Sequence, residues 1–309
     1  MSRIAVTGGS GFIGAHVVDA LVEAGHDVVV VDRERPPRAD VDFARVDLLD
    51  RQRLERALCG AAQIFHLAAI SNVDHVHERP VDAMAQNVIG TMHVLEAARA
   101  NGSERVHLAS TVWVYNEAPG TRPAGEGTPF YLNGGGHVYT SSKMAAEMAC
   151  HNYRTLYGVP YTILRYGIPY GPRMREELLI PRLISRARAG LPLEVAGDGS
   201  QFRRFLYVGD LARAHLCALD ARATDEVYNL EGTRRVTVLE VAELVRELVG
   251  AGTIEFVPGR TGDFAGRDAC PAKAERELGW RPQVDFEDGL QRTVASFSER
   301  WPARAPATA

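Results

Sequence analysis

The feature that most constrains this chain is an alternation running through its first ninety residues: short, uninterrupted apolar runs separated by stretches of helical periodicity. Ile4 to Thr7, Val28 to Val31 and Ile64 to Ala68 are continuous and partly β-branched, the pattern of strands buried on both faces of a parallel sheet. Helices are expected between them over Gly14 to Ala24 and Asp50 to Leu58. Strand, helix and strand in quick succession require right-handed crossovers, and therefore a doubly wound α/β sheet. The theme continues with a helix over Val81 to Ala100, a strand over Arg105 to Ser110, a long helix over Tyr139 to Tyr157 and a strand over Tyr161 to Arg165. Asn116 to His137, with three prolines and six glycines, cannot be a regular element and is read as an active-site loop.

Beyond Tyr166 the regularity breaks down. The pattern predicts helices over Pro181 to Ala189, Asp210 to Leu219, Thr237 to Val249 and Asp285 to Ser298, and a strand over Phe205 to Val208. A length of 309 residues is a prior for two domains. The expected division is a doubly wound domain over 1–165 plus about 205–222, a second lobe over 166–204 and 223–301, and a frayed tail over 302–309. A hydrophobic fraction of 46% with 24% charged residues argues against a disordered, collagenous or membrane-spanning chain. The net charge of -4 offers nucleic acid and anionic membranes no general attraction, so any phosphate must be bound by a local site. Cys59, Cys150, Cys217 and Cys270 are too scattered for a metal-ligand pair or a disulfide framework, and read as buried thiols in a reducing cytoplasm. The amino terminus lacks a basic segment followed by a long apolar core, so no signal peptide is expected. His16, His26, His75 and His77 have no convincing metal spacing, and no metal is expected.

Between the first strand and the first helix stands Thr7-Gly8-Gly9-Ser10-Gly11-Phe12-Ile13-Gly14. Glycines there let backbone N–H groups approach a pyrophosphate at the positive end of a helix. Asp32 ends the second strand, where a carboxylate can accept both ribose hydroxyls and repel a 2'-phosphate. That favours NAD over NADP, although Arg33 and Arg35 next door leave NADP open. The fold class is thus a Rossmann-like doubly wound parallel sheet carrying a smaller mixed α/β C-terminal lobe. Further on, Tyr139-Thr140-Ser141-Ser142-Lys143 sets a phenol and an ammonium four residues apart, on one helix face. With ten tyrosines and only two lysines in the chain, the pair is specific. A phenol ordinarily titrates near pH 10; an adjacent ammonium, joined by a nicotinamide's positive charge, favours the phenolate and gives a base near neutrality.

With these residues in view the chain resembles the extended short-chain dehydrogenase/reductases that act on nucleotide sugars, the NAD-dependent epimerase/dehydratase group, over nearly its whole length. The resemblance includes Asp47-Leu48, which in such proteins meets the adenine, and His66-Leu67-Ala68-Ala69, which lines the dinucleotide. It includes Asn87-Val88-Ile89-Gly90-Thr91 and Ser110-Thr111-Val112-Trp113-Val114-Tyr115, where Thr111 takes the place of the hydroxyl that bonds the reacting sugar oxygen. It implies cofactor contacts from Gly8, Gly11, Phe12, Ile13, Gly14, Asp32, Asp47, Leu48, Leu67, Ala68, Ala69, Asn87, Tyr139 and Lys143. It implies catalysis by Thr111, Tyr139 and Lys143, and substrate contacts from Thr111, Arg203, Arg260 and Asp263. Gly197 to Arg203 and Leu278-Gly279-Trp280-Arg281-Pro282 also fit. The implied enzyme is an isomerase of carbohydrate metabolism holding NAD tightly, and the implied partner is a second copy packed through a four-helix bundle, with the apolar faces of Val81–Ala100 and Tyr139–Tyr157 as candidates.

Several positions depart from the family. Ile168 replaces the asparagine that contacts the substrate's diphosphate, Arg204 an aspartate, and Gly209 the first of two aspartates. The run Asn133-Gly134-Gly135-Gly136-His137 is unusually glycine-rich. Dehydratases of this family keep an Asp-Glu pair directly after the threonine, and decarboxylases a glutamate nearby; here those positions are Val112 and Trp113, the latter read as core with stacking near the sugar as the alternative. What remains is the minimal set for a redox cycle at C4, and hence 4-epimerisation of a UDP- or dTDP-hexose or hexuronate. The alternatives are an NAD(P)H-dependent 4-ketoreductase, a glucuronate-type 4-epimerase served by Arg173 and Arg175, a dehydratase or decarboxylase, and a non-enzymatic NAD-binding protein.

Overall fold

A computed structural model of the protein describes residues 2–116, 123–131, 137–259 and 268–300. In chain order the elements are β1 (Arg3–Thr7), α1 (Phe12–Glu23), β2 (Asp27–Asp32), β3 (Asp42–Arg45), α2 (Arg51–Ala57), β4 (Gln63–His66), α3 (Val73–Glu78), α4 (Pro80–Met84), α5 (Gly90–Asn101), β5 (Arg105–Thr111), α6 (Val138–Tyr157) and β6 (Tyr161–Tyr166). After these come β7 (Ile168–Tyr170), α7 (Leu179–Arg188), β8 (Leu193–Ala196), β9 (Phe202–Arg203), β10 (Phe205–Tyr207), α8 (Val208–Cys217), β11 (Glu226–Leu230), β12 (Val236–Thr237), α9 (Val238–Val249), β13 (Ile254–Val257), α10 (Ala272–Leu278) and α11 (Phe286–Arg300).

The chain separates into two compact units: Met1–Gly167 with Leu211–Leu230 and Arg267–Arg281, and Ile168–Asp210 with Glu231–Gly266 and Pro282–Ala309. The first is built on a seven-stranded sheet in the order β11-β6-β5-β4-β1-β2-β3, every pairing parallel. The strand order reverses at β1, which sends the chain to β2 on one side and later receives β4 on the other. Thr7 pairs with both Val31 and His66, so the glycine turn, the end of β2 and the end of β4 leave the sheet together at its carboxyl edge. Ligands of open α/β sheets bind at such a switch point. One face of the sheet is filled by Val17, Val18, Leu21, Phe65 and Ala212, the other by Leu54, Leu95, Ala98, Ala146 and Ile163 among others.

The expected boundaries shift in three places, one of them being Arg267–Arg281 with α10, expected in the lobe and found in the first unit. Glu226–Leu230, expected in the lobe, is the outer strand of the large sheet, with Tyr228, Asn229 and Leu230 buried beside β6. Phe205–Tyr207, expected with the dinucleotide domain, pairs instead with β7 in the second unit. The expected helix over Val81 to Ala100 is interrupted: α4 gives way to a π-helical turn, Ala85–Ile89, before α5 begins. The thiols also differ from expectation, since Cys150 is buried while Cys59 is exposed.

The second unit is mixed α/β. It holds three two-stranded ladders: β10 with β7 and β13 with β8, both parallel, and β12 with β9, antiparallel. Tyr170, Phe205 and Phe286 pack ring against ring in its core, and the Tyr170 hydroxyl donates to the Phe286 carbonyl at 3.1 Å. The sequence tail over 302–309 lies outside the described residues.

Candidate active site

The glycine turn is built by steric necessity. Gly8 has φ +73°, and a Cβ there would stand 2.6 Å from the Ala68 backbone nitrogen; at Gly14 it would stand 2.0 Å from the Gly8 carbonyl oxygen. The turn therefore lies flat against Leu67 and Ala68 with α1 seated on it. Gly11 is the residue that caps α1, with no side-chain cap and no acidic residue in the helix's first turn. The amides of Phe12, Ile13 and Gly14 thus open a twelve-residue helix with no side-chain cap and no acid of its own in the first turn, a cradle suited to a pyrophosphate. Asp32 receives the Ser10 amide on Oδ2 (3.0 Å) and the Glu34 amide on Oδ1 (3.2 Å), so its carboxylate is aimed by the turn itself, and each oxygen keeps a second lone pair for a ribose hydroxyl. The residues present therefore fit a dinucleotide.

The other residues expected to meet the cofactor belong to the same unit. Burial works against the charge of Asp47, but the Leu49 amide, Gln86 and Arg33 outweigh it and hold the carboxyl below its usual range. Leu48 is buried, against Gly90 at the start of α5. The Leu67 amide donates to the Thr7 carbonyl at 3.0 Å and that of Ala68 to the Thr7 hydroxyl at 3.5 Å, while Ala69 continues the same half-buried segment.

Asn87 serves the protein with nearly all its polar capacity. On the π-helical turn it accepts from the Ile70 amide (2.8 Å) and donates to the Ile70 carbonyl (2.9 Å) and the Ser142 hydroxyl (3.0 Å). It thereby clamps the segment after β4 and ties it to α6. It is one link in a directional chain of neutral groups. Thr91 donates to the Asn87 carbonyl (2.6 Å), so it accepts from His66 Nε2 (3.0 Å), which leaves His66 Nδ1 to accept from Thr7 (2.7 Å). Ser142 in turn donates to the Tyr139 carbonyl at 2.7 Å. Burial, reinforced by the nearby Lys143 charge, drives His66 down to about 3 and keeps it neutral.

Tyr139 lies in the first turn of α6, half-buried. Lys143, 5% exposed, places Nζ 5.9 Å from the Tyr139 ring centroid and donates to the Ala109 carbonyl at 2.8 Å. Burial lowers it to about 8 against the opposing pull of Glu147. Thr111 ends β5 with its hydroxyl accepting from the Trp113 amide at 3.2 Å. Trp113 is half-buried, packed against the cluster of Val112, Val114, Tyr115, Ala124 and Met144, and its ring meets Tyr139 edge-on at 6.1 Å and His137 at 5.1 Å. His137 caps α6, accepting from the Thr140 amide at 3.4 Å, and its ring lies 6.1 Å from that of Tyr139 at 21°. Burial, with His77 adding to it, lowers the His137 imidazole from its usual value.

In the second unit, Arg203 lies on β9 and donates to the Phe202 carbonyl at 2.7 Å. Arg204 donates to the Gly232 and Thr233 carbonyls, closing the turn that leads to β12; this is the structural use of its departure from the family. Ile168 opens β7. Arg260, Asp263 and the glycines of the 133–136 run lie outside the described residues. The sequence reading gave no role to His137 or Glu147. A polar residue two before Tyr139 at a helix start, and an acid one turn past Lys143 on an apolar helix face, were the available signals.

Comparison with known proteins completes the picture. Residues 4–230 match the NAD dependent epimerase/dehydratase family. The chain is 33% identical over 306 residues to UDP-glucuronic acid decarboxylase 1 of Danio rerio, covering 96% of this chain and 72% of that protein. It is 35% identical to dTDP-glucose 4,6-dehydratase of Neisseria gonorrhoeae, covering 94% of each. The crystal structure of Thermotoga maritima UDP-glucose 4-epimerase with UDP-glucose superposes with a TM-score of 0.90 at 32% identity, covering 96% of this chain and 99% of that one. The glycine turn with Asp32, the Tyr139–Lys143 pair and these identities lead to one conclusion: the chain belongs to the NAD dependent epimerase/dehydratase family, an enzyme with NAD as its cofactor.

Proposed function

We propose that the protein epimerises a nucleotide sugar at C4, the substrate being a UDP- or dTDP-hexose or hexuronate. The observation that carries this reading is Trp113: where the relatives' eliminations and decarboxylations need a carboxylate after the threonine, an indole stands beside Tyr139. Val112 before it is equally unable to move a proton, and Glu147 is engaged by Arg165.

Tyr139 as phenolate takes the proton of the C4 hydroxyl and returns it after the configuration changes. The Lys143 ammonium stabilises that phenolate, and Thr111 holds the reacting oxygen by a hydrogen bond. Bound NAD supplies the acceptor and donor of one hydride, so no outside reductant is consumed. Hydride loss and return on opposite faces require the sugar to turn about its diphosphate link. Arg203, and among the residues not described Arg260 and Asp263, are the proposed diphosphate and ribose contacts.

The test is to denature the purified protein, identify the released dinucleotide, and incubate native protein with UDP- and dTDP-hexoses and UDP-glucuronate without added cofactor. Stoichiometric NAD and interconversion of a C4 pair are expected, and Tyr139→Phe should abolish turnover while keeping the dinucleotide. Release of carbon dioxide, a 4-keto-6-deoxy product, or turnover only with added NAD(P)H would replace the epimerase with a decarboxylase, dehydratase or ketoreductase.

A homodimer in a reducing cytoplasm belongs to the same reading. Val81 (79% exposed) on α4, with Met148 (56%) and Leu156 (68%) on α6, supplies apolar surface on the helices proposed to pair with a second copy. Sedimentation should show a dimer that Met148→Glu/Leu156→Glu converts to monomer; a monomeric native protein excludes it.

A further inference from the structure

Glu147 has no solvent exposure, yet it is a charged residue one turn beyond Lys143 on α6. Arg165 grips it with a fork, Nη2 at 2.6 Å from Oε2 and Nε at 3.0 Å from Oε1, and the Ser110 hydroxyl donates to Oε1 as well. The remaining Arg165 nitrogen, Nη1, donates to the Tyr115 hydroxyl and the Glu126 carbonyl, and Tyr115 passes its own proton to Asn229 Oδ1 at 2.8 Å. Every charge is answered. A well-packed apolar pair would nonetheless hold such a place as well or better, because desolvating two ions costs about what their attraction returns. Stability alone therefore gives the pair no reason to be ionic.

The geometry supplies another reason. Strand β5 presents consecutive residues to consecutive turns of α6: the Ala109 carbonyl receives Lys143, and the Ser110 side chain donates to Glu147. Thr111 follows on the strand, and Tyr139 precedes Lys143 by one turn on the helix. We infer that Glu147 is a positioning residue for the Tyr139–Lys143 pair: fixed between Ser110 and Arg165, its carboxylate keeps the neighbouring ammonium charged inside the core and so sustains the Tyr139 phenolate. The inference rests on the proposed use of Tyr139 and Lys143.

Among the described residues, the titratable neighbours of Lys143 are Tyr139, Glu147 and Cys150 on α6 and His66, which is neutral, on β4; Arg165 on β6 is engaged with Glu147, and Tyr166, whose phenol burial pushes well above the usual range, acts on Tyr139. Cys150 is driven upward by burial and stays a thiol. Glu147 is thus the one negative charge acting on Lys143 among them. Removing it lowers the ammonium further below about 8, and the phenol it supports then ionises at higher pH.

The experiment uses NAD-loaded protein and two readouts. Tyr139 ionisation is followed by phenolate absorbance, with Tyr139→Phe as blank, and the acidic limb of the kcat profile is followed on whichever nucleotide sugar the wild type converts. In Glu147→Gln both midpoints should rise by about one pH unit, with KM unchanged; in the double variant Glu147→Leu/Arg165→Met, which guards against misfolding of the single variant but also removes the opposing Arg165 charge, they should rise by less. A folded Glu147→Gln protein with both midpoints at their wild-type positions, or midpoints that fall in the double variant, makes Glu147 structural only and overturns the inference. A wild type that converts no nucleotide sugar sinks the proposed function instead, while the absorbance titration still decides the role of Glu147.

Discussion

Two polar networks flank α6, and they are made of different materials. One is neutral and directional: Thr7, His66, Thr91, Asn87 and Ser142 pass hydrogen bonds in one sense from the strand before the glycine turn to the backbone of Tyr139. The other is ionic: Glu147 and Arg165 with Ser110, Tyr115 and Asn229. A neutral chain fixes position, because each donor has one acceptor and a reversed link leaves two donors facing each other. An ion pair also fixes potential, which reaches neighbours it does not touch. The helix carrying Tyr139 and Lys143 is held by the first, and the inference above gives the second the task of polarising it.

The contrast can be broken most strongly at the ionic side. Glu147→Ala strands Arg165 in the core and should cost about 3–5 kcal/mol in urea denaturation, whereas Glu147→Leu/Arg165→Met should cost far less. Equal losses would mean that packing, not charge, dominates there. Acid should find the neutral side. Burial holds His66 to about 3 and, on β6's neighbour α8, His215 to about 4, from an ordinary 6.5. Below pH 6.5 the unfolded chain binds protons that these folded imidazoles refuse, so stability falls as pH drops, with about 3 kcal/mol lost through His215 alone near pH 4. Denaturation midpoints that stay level between pH 7 and 4.5 would contradict this. The smallest effect belongs to Asn87→Ala, which leaves the Ile70 amide and carbonyl unanswered and should cost about 1–3 kcal/mol. It should also raise the rate at which NAD dissociates, because the segment after β4 loosens. Unchanged NAD release would confine Asn87 to stability.

Much of the first unit was legible because its signals are long or chemically rare. β1, β2 and β4 carry continuous apolar runs, β5 and β6 follow in the same alternation with helices, and the glycine turn and Tyr139–Lys143 are spacings that few other structures need. The second unit gave less away: β7 to β10, β12 and β13 span two to four residues each, too short for any period to show. β11 escaped because Glu226-Val-Tyr-Asn-Leu follows a turn-rich stretch and carries an asparagine, which is used at Tyr115 and Ala124 rather than exposed. Trp113 reads as a core residue or as one that stacks near the sugar, because periodicity says nothing about which ring lies beside it. His137 escaped because imidazole is not among the usual helix caps.

The π-helical turn at Ala85–Ile89 makes one run of sequence do the work of two helices. An inserted residue rotates everything after it by about 100°, so the segment before the turn and the segment after it are out of phase, and a side chain such as Asn87 is swung inward between them. Such a segment tolerates changes of side chain better than changes of length. Deleting one residue between 85 and 89 would restore an unbroken α-helix and turn Val94, Leu95 and Ala98 away from the sheet they cover. The sequence here keeps time as well as content: its register is a heritable quantity, and a frame of one residue separates a clamp on the segment after β4 from a plain helix.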